Sequence, residues 1–289
     1  MAGLVALAVF AGLGCSGTGG SPSETLSDAA ALHRARFLVM DLRDGRVEPR
    51  GSVGDLAAER YRTTHMVFVR IAAGREQLGS ESDALGHQPD ESLRSYDSQD
   101  ILLAAFPCTR AQWQNLTGSD DAPWATLSAD LQGSVEDQGI PAHNLSHERV
   151  TAVLTTFHAT HSTAELRLPS DDEWEYACRK SAATRDWCFA DSRLLADGTR
   201  APPPVDTIAV HALVWETGDG SGPEPVGQRA ASPSGLHDLH GGVWELTREG
   251  RLRGGSWRDC ILQARCANRQ VIAPDIVHPL VGFRLVLVP

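Results

Sequence analysis

With 289 residues and a mass of 31.1 kDa, the chain has room for one large domain or two ordinary ones. A hydrophobic fraction of 42% can bury a sizeable core and excludes wholesale disorder. Lys and Arg number 26 against 37 Asp and Glu; the formal charge of -11 repels phosphate backbones and anionic headgroups, so nucleic acid is not expected as a partner.

Leu4 to Leu13 is an apolar run too short to span a bilayer and of the right length for a signal-peptide core. It runs into Ala11-Gly12-Leu13-Gly14-Cys15, followed by a small polar stretch from Ser16 to Ser23, and so resembles a bacterial lipoprotein cleavage site. Residues 1–15 are then a lipoprotein-type signal peptide with Cys15 as the lipidated residue, and 16–34 a flexible tether. An ordinary secretory signal, or a mere hydrophobic tail, is the other reading. A signal of either kind predicts export, and the lipoprotein reading places the chain at the bacterial cell envelope, periplasmic or surface. On the first reading, membrane attachment is through the N-terminal lipid only. Export makes the remaining five cysteines (Cys108, Cys178, Cys188, Cys260, Cys266) readable as disulfide material, and an odd count leaves at least one thiol unpaired or pairing between molecules.

Residues 35–65 read as a lead-in with short strands, Phe37-Leu38-Val39-Met40 among them, and 66–289 as the main domain. Met66 to Ile71 predicts a strand, 76–99 a polar surface loop, and Ile101 to Phe106 a further strand ended by Pro107. Capping chemistry announces three helices: Thr109 with Gln112, Ser146 ahead of Val150, Val153, Leu154 and Phe157 on one face, and Ser170 with Glu173. Beyond the third helix, apolar pieces alternate with Gly, Pro and Asp turns until Val281 to Val288 predicts a closing strand. The fold class is α+β, low in regular secondary structure.

Several segments carry a resemblance. Phe68 to Gly74 and Phe106-Pro107-Cys108-Thr109-Arg110-Ala111-Gln112-Trp113 are similar to the opening of the formylglycine-generating enzyme (sulfatase-modifying factor) domain. Arg167-Leu168-Pro169-Ser170-Asp171-Asp172-Glu173-Trp174-Glu175-Tyr176-Ala177 resembles the family's RLPTEAEWEYA, and Gly235 to Glu245 resembles GLYDMHGNVWE. Arg253-Gly254-Gly255-Ser256-Trp257 and Gly282-Phe283-Arg284 match RGGSW and GFR. The resemblance implies the formylglycine-generating-enzyme fold, a complex C-type-lectin-like domain, with Trp174, Trp244 and Trp257 as core aromatics.

Active members of that family convert a sulfatase cysteine to formylglycine with copper and oxygen, using two thiols just after RGGS in a Cys-His-x-Ser-x-Cys pattern. Here the stretch is Arg258-Asp259-Cys260-Ile261-Leu262-Gln263-Ala264-Arg265-Cys266-Ala267-Asn268-Arg269, without the His and Ser. Cys266 falls inside the family's Arg-x-Ala-x-Arg anchor, which in some members forms a disulfide with the position of Cys178. Cys260 alone remains as a catalytic remnant, and one thiolate is a poor Cu(I) site. The resemblance also implies a structural Ca2+ held by Asp238, Glu245 and the carbonyls of Gly241 and Val243, oxygen donors suited to a hard cation. His237 and His240, in the same loop, read as packing residues. Cys188 with Cys260 is a looser second pairing, leaving Cys108 free.

The expectation is therefore an exported lipoprotein whose sulfatase-modifying-factor-like domain acts as a binding or scaffold module. Its ligand surface is Arg258, Asp259 and Gln263, and its partner an unknown protein, peptide or glycan. The alternative is an active copper-dependent formylglycine-generating oxidase.

Overall fold

The computed structural model describes residues 30–134, 137–161, 164–180 and 182–289. Cys15, the signal segment and the tether up to residue 29 lie outside the described residues. Residues 35–289 form one unit. Its larger sheet is built on two apolar runs of the sequence, β1 (Phe37–Asp41) and β3 (His65–Ile71), with the largely polar β2 (Val47–Arg50) at its edge. The lead-in strand β1 pairs with β3 over its whole length, Phe37 opposite Val69 and Asp41 opposite His65, so the lead-in belongs to the sheet.

The segment expected as a polar loop is in part a ribbon, β4 (Gly74–Leu78) paired with β5 (Arg94–Ser98). Its side chains are mostly polar, so no apolar run announces it. An exposed Arg75–Asp97 pair at 2.8 Å and Tyr96 packed edge-on to Tyr176 hold it. The large sheet continues through β6 (Ile101–Ala104), and its far edge is β7 (Glu165–Arg167).

The predicted caps form as expected. Thr109 and Ser170 make complete capping boxes with Gln112 and Glu173 on α1 (Arg110–Thr117) and α4 (Asp171–Arg179). A short α2 (Ala129–Gln132) lies between α1 and α3 (His147–Thr160), which Ser146 caps and which buries Val150, Leu154 and Phe157. After α4 come the small ribbon β8 (Arg193–Leu194) with β9 (Arg200–Ala201) and the helix α5 (Val205–His211). A second sheet has the order β12 (Arg269–Val271), β11 (Arg251–Arg253), β10 (Trp244–Leu246), β13 (Val281–Gly282).

The closing strand is two strands. The chain leaves β13 in the second sheet, crosses Phe283-Arg284-Leu285, and enters the larger sheet as β14 (Val286–Val288), between β6 and β7. The break is set by Arg284, which is fully buried and binds Glu245 at 2.6 Å through both Nε and Nη2.

Packing around α4 is polar at its centre. Arg253 sends Nε and Nη2 to the two oxygens of Asp171 at 2.6 and 2.7 Å, and Nη2 reaches Glu175 at 3.1 Å. Glu175 also accepts Arg179 Nε at 2.9 Å and the Gly79 amide at 2.6 Å, tying the β4–β5 ribbon to the helix. Gly254, at φ +87°, lets this strand end pass α4: an added Cβ would stand 2.9 Å from Leu239 O and 3.2 Å from the Trp174 ring.

Burial alone would raise the Asp171 carboxyl, but Arg253, then Arg269 and Arg251, outweigh it and hold the group below its ordinary value. At the same helix end Glu249 accepts the Asp171 amide at 2.8 Å, and the first-turn acids Asp172 and Glu173 pair with Arg94 and Arg167. A lowered native pKa stabilises the fold above about pH 4, and that stabilisation is lost as pH falls through the native value. Acid titration followed by circular dichroism is expected to show this loss, and Asp171→Asn to flatten it. Arg253→Ala, which removes the guanidinium shared by two buried carboxylates and leaves them Arg269 and Arg179, is expected to cost about 3 kcal/mol in urea unfolding; a cost near zero would show that the network is dispensable.

Candidate functional site: a thiol–imidazole cluster and the cysteine-segment face

The loop between Gly235 and Glu245 was expected to wrap calcium. Asp238, at φ +55°, is oriented by the Gly227 amide donating to its Oδ2 at 2.7 Å. Both oxygens of Glu245 are taken by Arg284, and Oε2 also accepts Trp174 Nε1 at 2.6 Å. The same guanidinium donates to the carbonyls of His237 at 2.9 Å and Ala104 at 3.1 Å. Glu245, one of the two carboxylates expected at calcium, is thus wholly engaged by Arg284 and Trp174. The Gly241 amide donates to Gly254 O at 2.7 Å, and Val243 is buried.

Just behind this loop lies a cluster that sequence reasoning missed. One ligand atom each of Cys178, His240 and Cys266 lie within 4.8 Å of one another, all three residues buried. Cys178 comes from the last turn of α4, Cys266 from the anchor, and His240 from the loop. A fourth member, Cys188, places Sγ 3.0 Å from His240 Nε2 and donates its backbone N–H to the same nitrogen at 3.2 Å. On the other side of the ring, Nδ1 faces the Ala264 carbonyl at 2.7 Å. A carbonyl only accepts, so Nδ1 carries the proton and the Nε2 lone pair is turned toward the sulfurs.

Burial holds His240 down to about 4, so the ring is neutral at physiological pH. Burial, then the hydrogen bond and charge of Cys266, push the Cys178 thiol well up, and burial raises Cys188 likewise. Cys178 and Cys266 are brought together as the resemblance implied, but as free thiols; neither that disulfide nor Cys188–Cys260 is formed among the described cysteines. Cys188 is committed to His240, whereas Cys260 is exposed. The Trp187-Cys188 dipeptide stands in no ligand spacing, and so gave no signal.

The segment after RGGSW forms a separate face. Arg258 lies over the Trp257 ring at 5.0 Å and pairs with Asp130 at 2.8 Å. Asp259 accepts the Ser256 amide at 3.0 Å, and its carbonyl accepts the amide of Trp215, whose side chain is 67% exposed. Gln263 and Asp259 line a cleft of about 490 Å³ with Gln270, Val271, Ile276 and His278. The three surface residues singled out in the sequence are therefore on or beside one open face. The family's copper chemistry needs two thiols here. Cys260 is the exposed one, and Cys266 is buried with Cys178, so these residues do not fit that ion.

A mixed sheet-and-helix domain with two sheets stitched by its closing segment is a C-type-lectin-like α+β fold. Residues 54–288 match the sulfatase-modifying factor enzyme 1-like domain, and the chain belongs to that family. Among solved structures, PvdO from Pseudomonas aeruginosa is similar at 22% identity and TM-score 0.62, over 77% of this chain and 94% of that one. Treponema denticola variable protein 1 is similar at 17% and 0.63, over 78% and 96%, and CarF at 16% and 0.53, over 77% and 98%. These likenesses are of fold. No curated protein matches the chain.

Thiol accessibility follows from this geometry. Brief alkylation of the folded, reduced protein is expected to modify Cys260 among Cys108, Cys178, Cys188, Cys260 and Cys266, with the others reacting only after denaturation. Intact and peptide mass spectrometry would read the sites, and native labelling of Cys188 or Cys266 would contradict the burial described.

Proposed function

We propose that this chain is a binding module of the sulfatase-modifying factor family, without formylglycine-forming activity, held at the bacterial envelope by a lipid on Cys15. What carries the reading is the cleft on the cysteine segment: an open, mixed polar and apolar surface lined by Asp259 and Gln263, next in sequence to Cys260, which is exposed and unpaired among the described cysteines. A rigid framework presenting an irregular polar loop is the usual arrangement for recognition.

The cleft is bordered by β12, the edge strand of the second sheet, with Val271 77% exposed and Ile276 and Val277 also open to solvent. An edge strand next to apolar side chains suits an extended polypeptide, which gains main-chain hydrogen bonds from the edge and specificity from the pocket. Gln263, Gln270 and His278 supply the polar contacts. The ligand class is therefore an extended protein or peptide segment.

The test has two arms. Displayed peptide libraries are expected to yield ligands whose affinity falls at least about tenfold, near 1.4 kcal/mol, in Val271→Lys or Gln263→Ala; binding of glycans alone would replace the peptide reading. Copper-loaded protein is expected to leave a sulfatase-type cysteine peptide unoxidised. Formylglycine formation that vanishes in Cys260→Ser would establish the oxidase instead. Separately, radiolabelled palmitate is expected to enter the wild-type chain and not Cys15→Ser, and equal labelling of both would remove the anchor.

A further inference from the structure

Three buried thiols and one imidazole converge near His240 Nε2, and neither the fold nor the proposed face needs four such groups together. Cys178 Sγ stands 3.9 Å from the ring nitrogen, with Cys266 in the same group, and Cys188 donates its S–H toward that nitrogen. In hydrocarbon, Ala or Val would fill this space at least as well. The members come from four separate stretches: the end of α4, the turn after Trp187, the Gly235–Glu245 loop and the Arg265–Arg269 anchor. All are backed by fixed structure.

The support around the cluster is what a metal centre needs. His240 is locked in one tautomer by the Ala264 carbonyl, the usual outer partner of a ligating imidazole. Ala264 itself is held against Gly255, whose absent side chain leaves it room: an added Cβ would stand 3.1 Å from Ala264 Cα, at φ +73°. Cys188 is set by its turn, in which Trp187 Nε1 donates to Ile261 O at 3.0 Å and the Trp187 and Ala190 main chains pair. The Cys266 amide donates to Asp186 O at 2.9 Å, joining the anchor to that turn.

We propose that Cys178, Cys188, Cys266 and His240 form a closed, structural zinc site. Zinc suits the donor set: four ligands, three soft sulfurs and one nitrogen, in the tetrahedral Cys3His combination, with no position left for substrate or water. Formation is proton release without redox change. Zn2+ enters, each thiol gives up its proton to solvent, and both contacts of Cys188 to His240 Nε2, from its S–H and its backbone N–H, give way to sulfur–metal and nitrogen–metal bonds, the freed N–H turning to the thiolates. Cys178, Cys266 and His240 already bring their ligand atoms within 4.8 Å of one another, and Cys188, 3.0 Å from His240 Nε2, turns its Sγ from that nitrogen to the metal as the fourth ligand. The resulting centre carries a net charge of -1. The site is independent of whether the cysteine-segment face binds a ligand.

The full chain, purified with reductant present and reloaded with one equivalent of zinc, is expected to retain one zinc per chain by mass spectrometry of the metal. Cys178→Ser, Cys266→Ser, Cys188→Ser and His240→Gln are each expected to lose it, while Cys260→Ser and Cys108→Ser retain it. Because a core variant can fail to fold, a second measurement uses the wild type alone. Cobalt(II) in place of zinc is expected to give intense thiolate charge-transfer absorption with a tetrahedral ligand-field pattern, and zinc to bleach it. Zinc is also expected to raise Tm, since it binds the native state. Absence of thiolate-to-cobalt absorption, retention of copper(I) but not zinc, or a Cys178–Cys266 disulfide in protein isolated from the envelope would each overturn the proposal.

Discussion

Buried guanidinium groups organise this domain. Arg253, Arg265 and Arg284 are almost wholly excluded from solvent, and each meets a buried carboxylate: Asp171 with Glu175, Glu91, and Glu245. A charge taken that far from water is tolerable only with a partner held in good geometry. Every one of these pairs joins segments distant in sequence, so each fixes where two irregular stretches meet. With strands of two to seven residues, hydrogen-bonded ladders alone could not hold the architecture. The matching of forks to carboxylates does that work, and the indole of Trp174 completes it by donating to Glu245.

The legible part of the sequence is legible for the same reason. RLPSDDEWEYA, the loop ending in Trp244-Glu245, RGGSW and GFR are the places where these charges and their backing residues lie, so their residue types cannot drift independently. Capping boxes at Thr109 and Ser170 are equally readable, because a cap is a local contact written in four consecutive residues. The polar β4–β5 ribbon was not readable: its side chains face water on alternate positions and a packed tyrosine on the others, which leaves no apolar period. Nor was the split of the closing strand, since Val281 to Val288 has the composition of one strand and only the burial of Arg284 divides it.

The cluster around His240 shows a different limit. Pairing by family position brought Cys178 and Cys266 together correctly, yet treated cysteines as a bookkeeping of bridges. Cys188 and His240 enter through the third dimension, one from a turn with no motif and one from a loop already explained by its acidic residues. Likewise, Glu245 reads in the sequence as a ligand of a hard cation, whereas both its oxygens are held by a guanidinium that comes from a motif 39 residues away.

The route of the closing segment bears on how the domain tolerates damage. Residues 281–282 finish one sheet, and residues 286–288 are inserted between β6 and β7 in the interior of the other. Without residues 281–288, β7 would have no strand to pair with in that sheet and Glu245 no guanidinium. One eight-residue segment thus completes both sheets, and damage to it is damage to the two at once.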